Sequence, residues 1–390
     1  MQENSPAREQ ATTGRKPRLP AIEYIRGISM MGVIGIHVGS QYIANPSANA
    51  HLTALFEIFT RFSVPIFFFI SAFGLFYNLD LQNWHYLSFL KKRWKTVLIP
   101  YLVWSVFYLL HDGWLYNSGF PGPLHFLGML FFGVTKYQLY FLVLLLWFYL
   151  LMPLWIWMVK KLDMLWLLFL LGLQVMFDYW SSFSVPLNIF VYSLPDDSLL
   201  KPFFMYRLNY WVMHYIFIFV LGGWLAVHLQ GFMTFMKKRR SLIAASFFLS
   251  MLTLLGYYYY LLGSQGYTQL EAINTAHQLC PAGIAYTICA SLFFFTIFTY
   301  NDYPEWLKNL LHILGRHSYF AYLVHPFFIG YLALAIQKSG HLMTAGIALG
   351  FYCIVLLLSV TSAAIMRKAG EALPLINALT IGVYKKTSQK

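Results

Sequence analysis

The chain has 390 residues, of which 59% are hydrophobic, 19% aromatic and only 11% charged. That many apolar side chains cannot be hidden in a water-soluble globule of this length, so a soluble enzyme and a disordered chain are both excluded. The net charge of +13 raises nucleic acid as a partner, but the cations sit in short clusters between apolar runs, the pattern that orients membrane proteins, and no nucleic acid is expected.

A helix needs roughly 20 apolar residues to cross hydrocarbon. Held against that length, the chain predicts ten spans, at about 19–42, 53–77, 97–112, 138–159, 164–181, 208–229, 241–262, 279–300, 318–337 and 344–366. The third is short, and an apolar piece at 124–134 reads as interfacial or re-entrant. The first span is too long for a cleaved signal and carries Glu23 and Arg26 inside it. The N-terminal tail (Arg8, Arg15, Lys16, Arg18), the loops after the second, fourth, sixth and eighth spans, and the C-terminal tail hold 21 Lys and Arg. The other side holds Lys136, Lys201, Arg207 and Lys338. Cytoplasmic loops carry the excess, so both termini are expected inside and the number of spans even. The expected fold class is an all-α polytopic membrane protein of about ten transmembrane helices. Its parts are a cytoplasmic tail at 1–18, a membrane domain at 19–368 and a second cytoplasmic tail at 369–390. The longest outer loop, about 182–207, is too short to fold alone.

Cys280, Cys289 and Cys353 lie in apolar runs and form no disulfide framework. The HQLC stretch at 277–280 followed by Cys289 lacks zinc-ligand spacing, and no P-loop or dinucleotide fingerprint is present. No metal and no tightly bound cofactor are expected.

Ionisable groups inside spans are costly and mark function. Here they are Glu23, Arg26, His37, Glu57, Arg61, Asp178, His214 and His325. Arg26 and His37 are eleven residues apart, three helical turns plus about 20°, so they share a face about 16 Å apart along the axis. The pair can hold two ends of a long substrate, or simply bond to neighbouring helices. Gly32, Gly35 and Gly39 on the same helix permit close packing. Glu57 and Arg61 are one turn apart and read as an internal ion pair. The alternative is that Glu57, near the depth of His37, orients its imidazole as a carboxylate does in a hydrolytic triad. Lys91, Lys92, Arg93 and Lys95 are a positive-inside anchor that also offers cations to phosphates. Ser318, Tyr322 and His325 form one polar stripe, which must face protein or a cavity. Asp178 and His214 read as buried hydrogen-bonding groups.

Together these stretches resemble membrane acyltransferase family 3. Tyr24-Ile25-Arg26-Gly27-Ile28 followed by His37 is similar to the family's opening helix, and Ser63 to Phe73 to its second. Lys91 to Lys95 with Ile99-Pro100-Tyr101 resembles its basic loop and third helix. Gly315, Ser318-Tyr319, Tyr322-Leu323 and His325-Pro326 resemble its late helix. Departures are Thr96 at the second place of the loop's arginine pair, Gln138 and Tyr140 where His and Trp are usual, and Ser71-Ala72 for Ser-Gly.

The resemblance implies transfer of an acyl group, most often acetyl, from cytosolic acyl-coenzyme A to a hydroxyl of a surface glycan or lipid-linked saccharide, in a bacterial plasma membrane. It makes His37 the catalytic histidine, as general base or transient acyl carrier, and Arg26 its helix partner. Glu57 joins them as a candidate for catalysis. Lys92, Arg93, Lys95, Arg61, Ser71, Tyr322 and His325 are candidates for substrate binding. The competing function is a polysaccharide exporter or flippase that transfers no acyl group.

Overall fold

The computed structural model describes residues 16–46 and 48–384. Arg8, Arg15, Lys385, Lys386 and Lys390, counted in the tails above, lie outside the described residues. Among the described residues every regular element is a helix. Seven helices are long and apolar enough to cross a membrane, or nine if two bent pairs each count as one span.

The first helix, α1 (Pro20–Ile43), begins with Pro20 at its first position, where a missing N–H costs nothing. The second, α2 (Ala50–Asn78), is interrupted by a π turn at Ala54–Ile58, where the Phe59 amide reaches back five residues to Ala54. Helix α3 (Tyr86–Arg93) runs through a second π turn, Trp94–Leu98, into α4 (Ile99–Leu115). Pro100 has no N–H to give to Thr96, so an ordinary turn cannot close there. With 17 residues, α4 falls just short of a free-standing span. The 124–134 piece is the short helix α5 (Pro123–Phe132), stopped by Gly133 at φ 71°.

The fourth expected span is bent by 66° between α6 (Tyr140–Leu150) and α7 (Met152–Lys161), at Pro153. Helix α8 (Met164–Phe183) follows, then three short helices, Val185–Ser193, Leu200–Met205 and Arg207–Tyr210. Helix α9 (Val212–Val227) turns by 96° into α10 (Leu229–Lys238), which buries Phe232 and Met236 on one face and exposes Lys237 and Lys238. Then come α11 (Arg240–Gly263), α12 (Pro281–Tyr300), α13 (Glu305–Lys338) and α14 (Ala345–Ala372). The expected ninth span starts 13 residues late, because Arg316 and His317 break the apolar run without breaking the helix. Residues Pro374–Ile381, expected in a tail, form helix α15, docked on α4 by the Trp104 indole donating to Thr380 O at 3.0 Å.

Helices α1 and α2 are the most enclosed, whereas α8, α11 and α14 turn most of their apolar surface outward. The basic clusters meet at one end of the bundle. Lys160 donates to Leu81 O at 3.0 Å, Arg240 lies over the Tyr300 ring, and Arg93, Arg316 and Arg367 line one cavity.

The enclosed helices approach very closely. A Cβ on Gly315 of α13 would fall onto the carbonyl of Glu23 in α1, and one on Gly27 would lie 2.9 Å from Leu314 Cβ. Gly39 and Gly32 similarly admit Phe56 and Ser63 of α2, as the small-residue spacing implies. Gly315→Ala is therefore expected to cost about 1–3 kcal/mol by overpacking and to lower the melting temperature in detergent. Gly330→Ala on the same helix, with no atom within 4 Å, is the control. Equal melting of the two variants would refute the close crossing.

Candidate active site

A cavity of about 390 Å³ opens at the basic end of the bundle. Four guanidinium groups line it, each from a different element: Arg26 of α1, Arg93 at the end of α3, Arg316 of α13 and Arg367 of α14. The C-terminal segment completes the wall through Ile381, Gly382 and Val383. Gly382 has φ 64°, and any Cβ there would strike the backbone of Thr96, so both conformation and contact require glycine. The Arg93 guanidinium lies 5.2 Å from the Phe89 ring and 5.4 Å from the Tyr149 ring, and its buried Nε has no hydrogen-bond partner among the described residues. Several fixed donors with few acceptors are what a phosphate or diphosphate needs.

Deeper in the bundle is a smaller chamber of about 60 Å³, which His37 lines together with Arg61, Gln138, Tyr140 and Gln278. Tyr322 borders both spaces. Its hydroxyl donates to the Gln138 carbonyl, and its ring packs on Phe141 at 5.6 Å. His37 is half-buried, with Tyr137 4.4 Å from its ring centre on one side and His325 stacked at 5.2 Å on the other. His325 is fully buried, and among the described residues neither of its ring nitrogens has a hydrogen-bond partner. It sits where Pro326 interrupts the α13 ladder. The neighbouring carbonyl, Leu323, accepts from Tyr108 at 2.6 Å and from Gln138 at 3.4 Å, which pins this turn to α4 and to the start of α6.

The expected site residues divide. Arg26, Arg93, Ser71 and Tyr322 meet at the large cavity, and His37, Arg61 and Tyr322 at the small one. His325 joins through its stack on His37. Among the described residues Glu57 makes no hydrogen bond to the His37 imidazole. Its carboxylate pairs with Arg61 at 3.2 Å and accepts from Ser40 at 3.2 Å, so the ion-pair reading is the one the geometry bears out. Arg61 also donates to Ile273 O at 3.0 Å, and its Nε has no partner among the described residues.

The basic run splits as well. Lys92 lines a separate cavity with Trp84 and Asp80, which shares only Arg93 with the large one. The Lys95 ammonium is drawn aside, 5.9 Å from the Tyr384 ring. Sequence reading counted Arg316 and Arg367 as topological charges and missed them as cavity residues. Arg316 adjoins Gly315 of the late-helix motif, a signal that could have found it, whereas Arg367 reads only as an anchor. They supply the guanidinium groups that Thr96, which also lines the cavity, does not.

Asp178 and His214 are bonded to each other at 2.6 Å, both buried, with the Ser181 hydroxyl 3.4 Å from the other imidazole nitrogen. The order is that of a Ser-His-Asp triad, but the adjoining space is only about 20 Å³, with no room for a substrate. The cluster joins α8 to the start of α9.

Comparison with curated proteins and with solved structures finds no match. A family model described as an acyltransferase domain, that of acyltransferase family 3, matches residues 19–367. That stretch contains α1 to α13 and most of α14, with both cavities' arginines and His37, and the chain belongs to this acyltransferase family.

Proposed function

We propose that the chain moves an acyl group, acetyl in the first instance, from cytosolic acyl-coenzyme A to a hydroxyl of a cell-surface glycan or glycolipid. The observation that carries this reading is the pair of spaces meeting at one ring: four guanidinium groups on the basic side of Tyr322, and His37 on the other. The nucleotide phosphates of the donor lie toward Arg93, Arg316 and Arg367, with Arg26 nearer the thioester. A saccharide hydroxyl reaches His37 from the opposite side.

The imidazole takes the hydroxyl proton as the oxygen attacks the thioester carbonyl. The carbon–sulfur bond then breaks, and the proton passes from the imidazolium to the departing thiolate, giving the ester and free coenzyme A. Negative charge on the carbonyl oxygen develops in the chamber that Arg61 lines, where a fixed cation stabilises it most. The stacked His325 holds the His37 ring plane.

Ten spans with both termini cytoplasmic in a bacterial plasma membrane complete the reading. Its support is the 21-to-4 charge division and the gathering of the basic clusters at one end.

His37→Gln keeps the polarity but not proton exchange near neutral pH. It is expected to lower kcat for label transfer from acyl-CoA to glycan by about a hundredfold or more, with donor binding retained. Near-normal turnover would make His37 a structural group, and glycan translocation without acylation would favour an exporter.

Arg93→Ala is expected to raise the KM for acyl-CoA by about 10-fold or more, the loss of one charge-assisted contact, while kcat changes little. Lys95→Ala is expected to leave KM unchanged. An equal effect of the two would assign the run to electrostatics at large rather than to the cavity.

In a cysteine-free background, a cysteine at Ser388 is expected to label from the cytoplasmic side and one at Asn117 from the outside. Labelling of both from one side would overturn the ten-span arrangement.

A further inference from the structure

The two spaces that meet at Tyr322 differ more than sixfold in size, about 390 Å³ against about 60 Å³. The small one is walled on its apolar side by Val33, Ile36 and Val64, and closed by Tyr140 and Tyr322. These walls are held. The Tyr322 hydroxyl is tied to the Gln138 carbonyl, and the Tyr322, Phe67 and Phe141 rings pack on one another at 5.6–6.4 Å, making an aromatic collar at the junction. Gln138 is fully buried, with its amide on Leu323 O. The chamber therefore cannot swell by a simple rotamer change of Tyr322 or Gln138.

We propose that this chamber measures the acyl group, and that Ile36 and Val64 set the longest chain accepted at two to three carbons. The inference rests on the acyl-CoA reading above and adds a size limit to it. A cavity of about 150 Å³ admits a six-carbon ring. A space of about 60 Å³ holds well under half of that, enough for an acetyl or propionyl tail. The lining supplies both kinds of group: Arg61, Gln138 and Gln278 offer polar atoms to the carbonyl, and Val33, Ile36 and Val64 offer apolar surface to the hydrocarbon end. Selection by such a wall is steep, because each methylene that does not fit costs about 10–200-fold.

The test uses native membranes, which carry their own acceptor, from a strain in which the full-length chain or a variant replaces the chromosomal copy. Incorporation of carboxyl-labelled acetyl, propionyl, butyryl and hexanoyl groups from their coenzyme A thioesters into glycan is followed. Binding of unacylated coenzyme A to the purified protein is measured in parallel. The parent chain is expected to transfer acetyl and propionyl, and hexanoyl at least 100-fold less well than acetyl. Val64→Ala combined with Ile36→Ala is expected to raise the butyryl-to-acetyl ratio of kcat/KM by at least 10-fold. Val64→Leu, which narrows the space, is expected to lower the propionyl-to-acetyl ratio.

Comparable transfer of hexanoyl and acetyl by the parent chain overturns the size limit, whatever the variants do. Unchanged ratios in all variants that retain acetyl transfer overturn the assignment to these two residues. In both cases coenzyme A still binds, and the donor reading survives. Absence of coenzyme A binding together with absence of transfer from any thioester overturns the donor reading, and the size limit with it.

Discussion

The structure depends on the close crossing of α1 and α13. Gly27 and Gly315 bring the two backbones together, and the contact sets which residues face each other further along. From that crossing the helices run side by side. Arg26 and Arg316 then share the large cavity, and His37 stacks on His325 ten residues beyond Gly315. In lipid no hydrophobic gain favours one helix neighbour over another, so packing and polar contacts must specify the pair. Side chains at the crossing would separate the helices and dismantle both spaces together.

Charge is handled differently at the two depths. At the basic end, the four guanidinium groups line one cavity, and none of them has an ion pair among the described residues. They are left available to an anion. Farther in, the polar groups are partnered locally. Glu57 pairs with one edge of the Arg61 guanidinium, whose Nε has no hydrogen-bond partner among the described residues, and Asp178 and His214 are hydrogen-bonded to each other. Burying an ionised group alone is prohibitive, so a deep pair persists only when its partners are in place. His37 and His325 need no such compensation, because a neutral imidazole can be buried, and the His325 ring nitrogens have no hydrogen-bond partner among the described residues.

Breaks in regular helix recur where the site is built. The π turn at Ala54–Ile58 holds Glu57, the one at Trp94–Leu98 follows Arg93, and Pro326 follows His325. Pro326 has no N–H to give to the Tyr322 carbonyl, and beside that gap the Leu323 carbonyl accepts from Tyr108 and Gln138. The irregular backbone therefore ties α4 and α6 to the helix carrying Tyr322 and His325. The same ties give the small chamber its rigid wall.

The helical class, the placement of most apolar segments and the shared face of Arg26 and His37 were legible in the sequence. They follow from local quantities: a run of apolar residues, a period of 3.6, a cluster of like charges. The family motifs likewise pointed to Arg93 and Tyr322, which line the large cavity, and to His325, which stacks on His37. What the sequence could not decide was partnership. Glu57 was compatible with His37 or with Arg61; the one-turn spacing on α2 already offered Arg61, and the packing of α1 on α2 added Ser40 as its second partner. Lys92, Arg93 and Lys95 are near neighbours in the chain, yet one turn of helix sends them to three different surroundings. Arg316 and Arg367 looked like anchors until the fold brought them to the same cavity from helices that begin forty residues apart. Spacing along a helix determines which residues share a face, but what that face meets depends on contacts between distant segments, and those exist only in the tertiary structure.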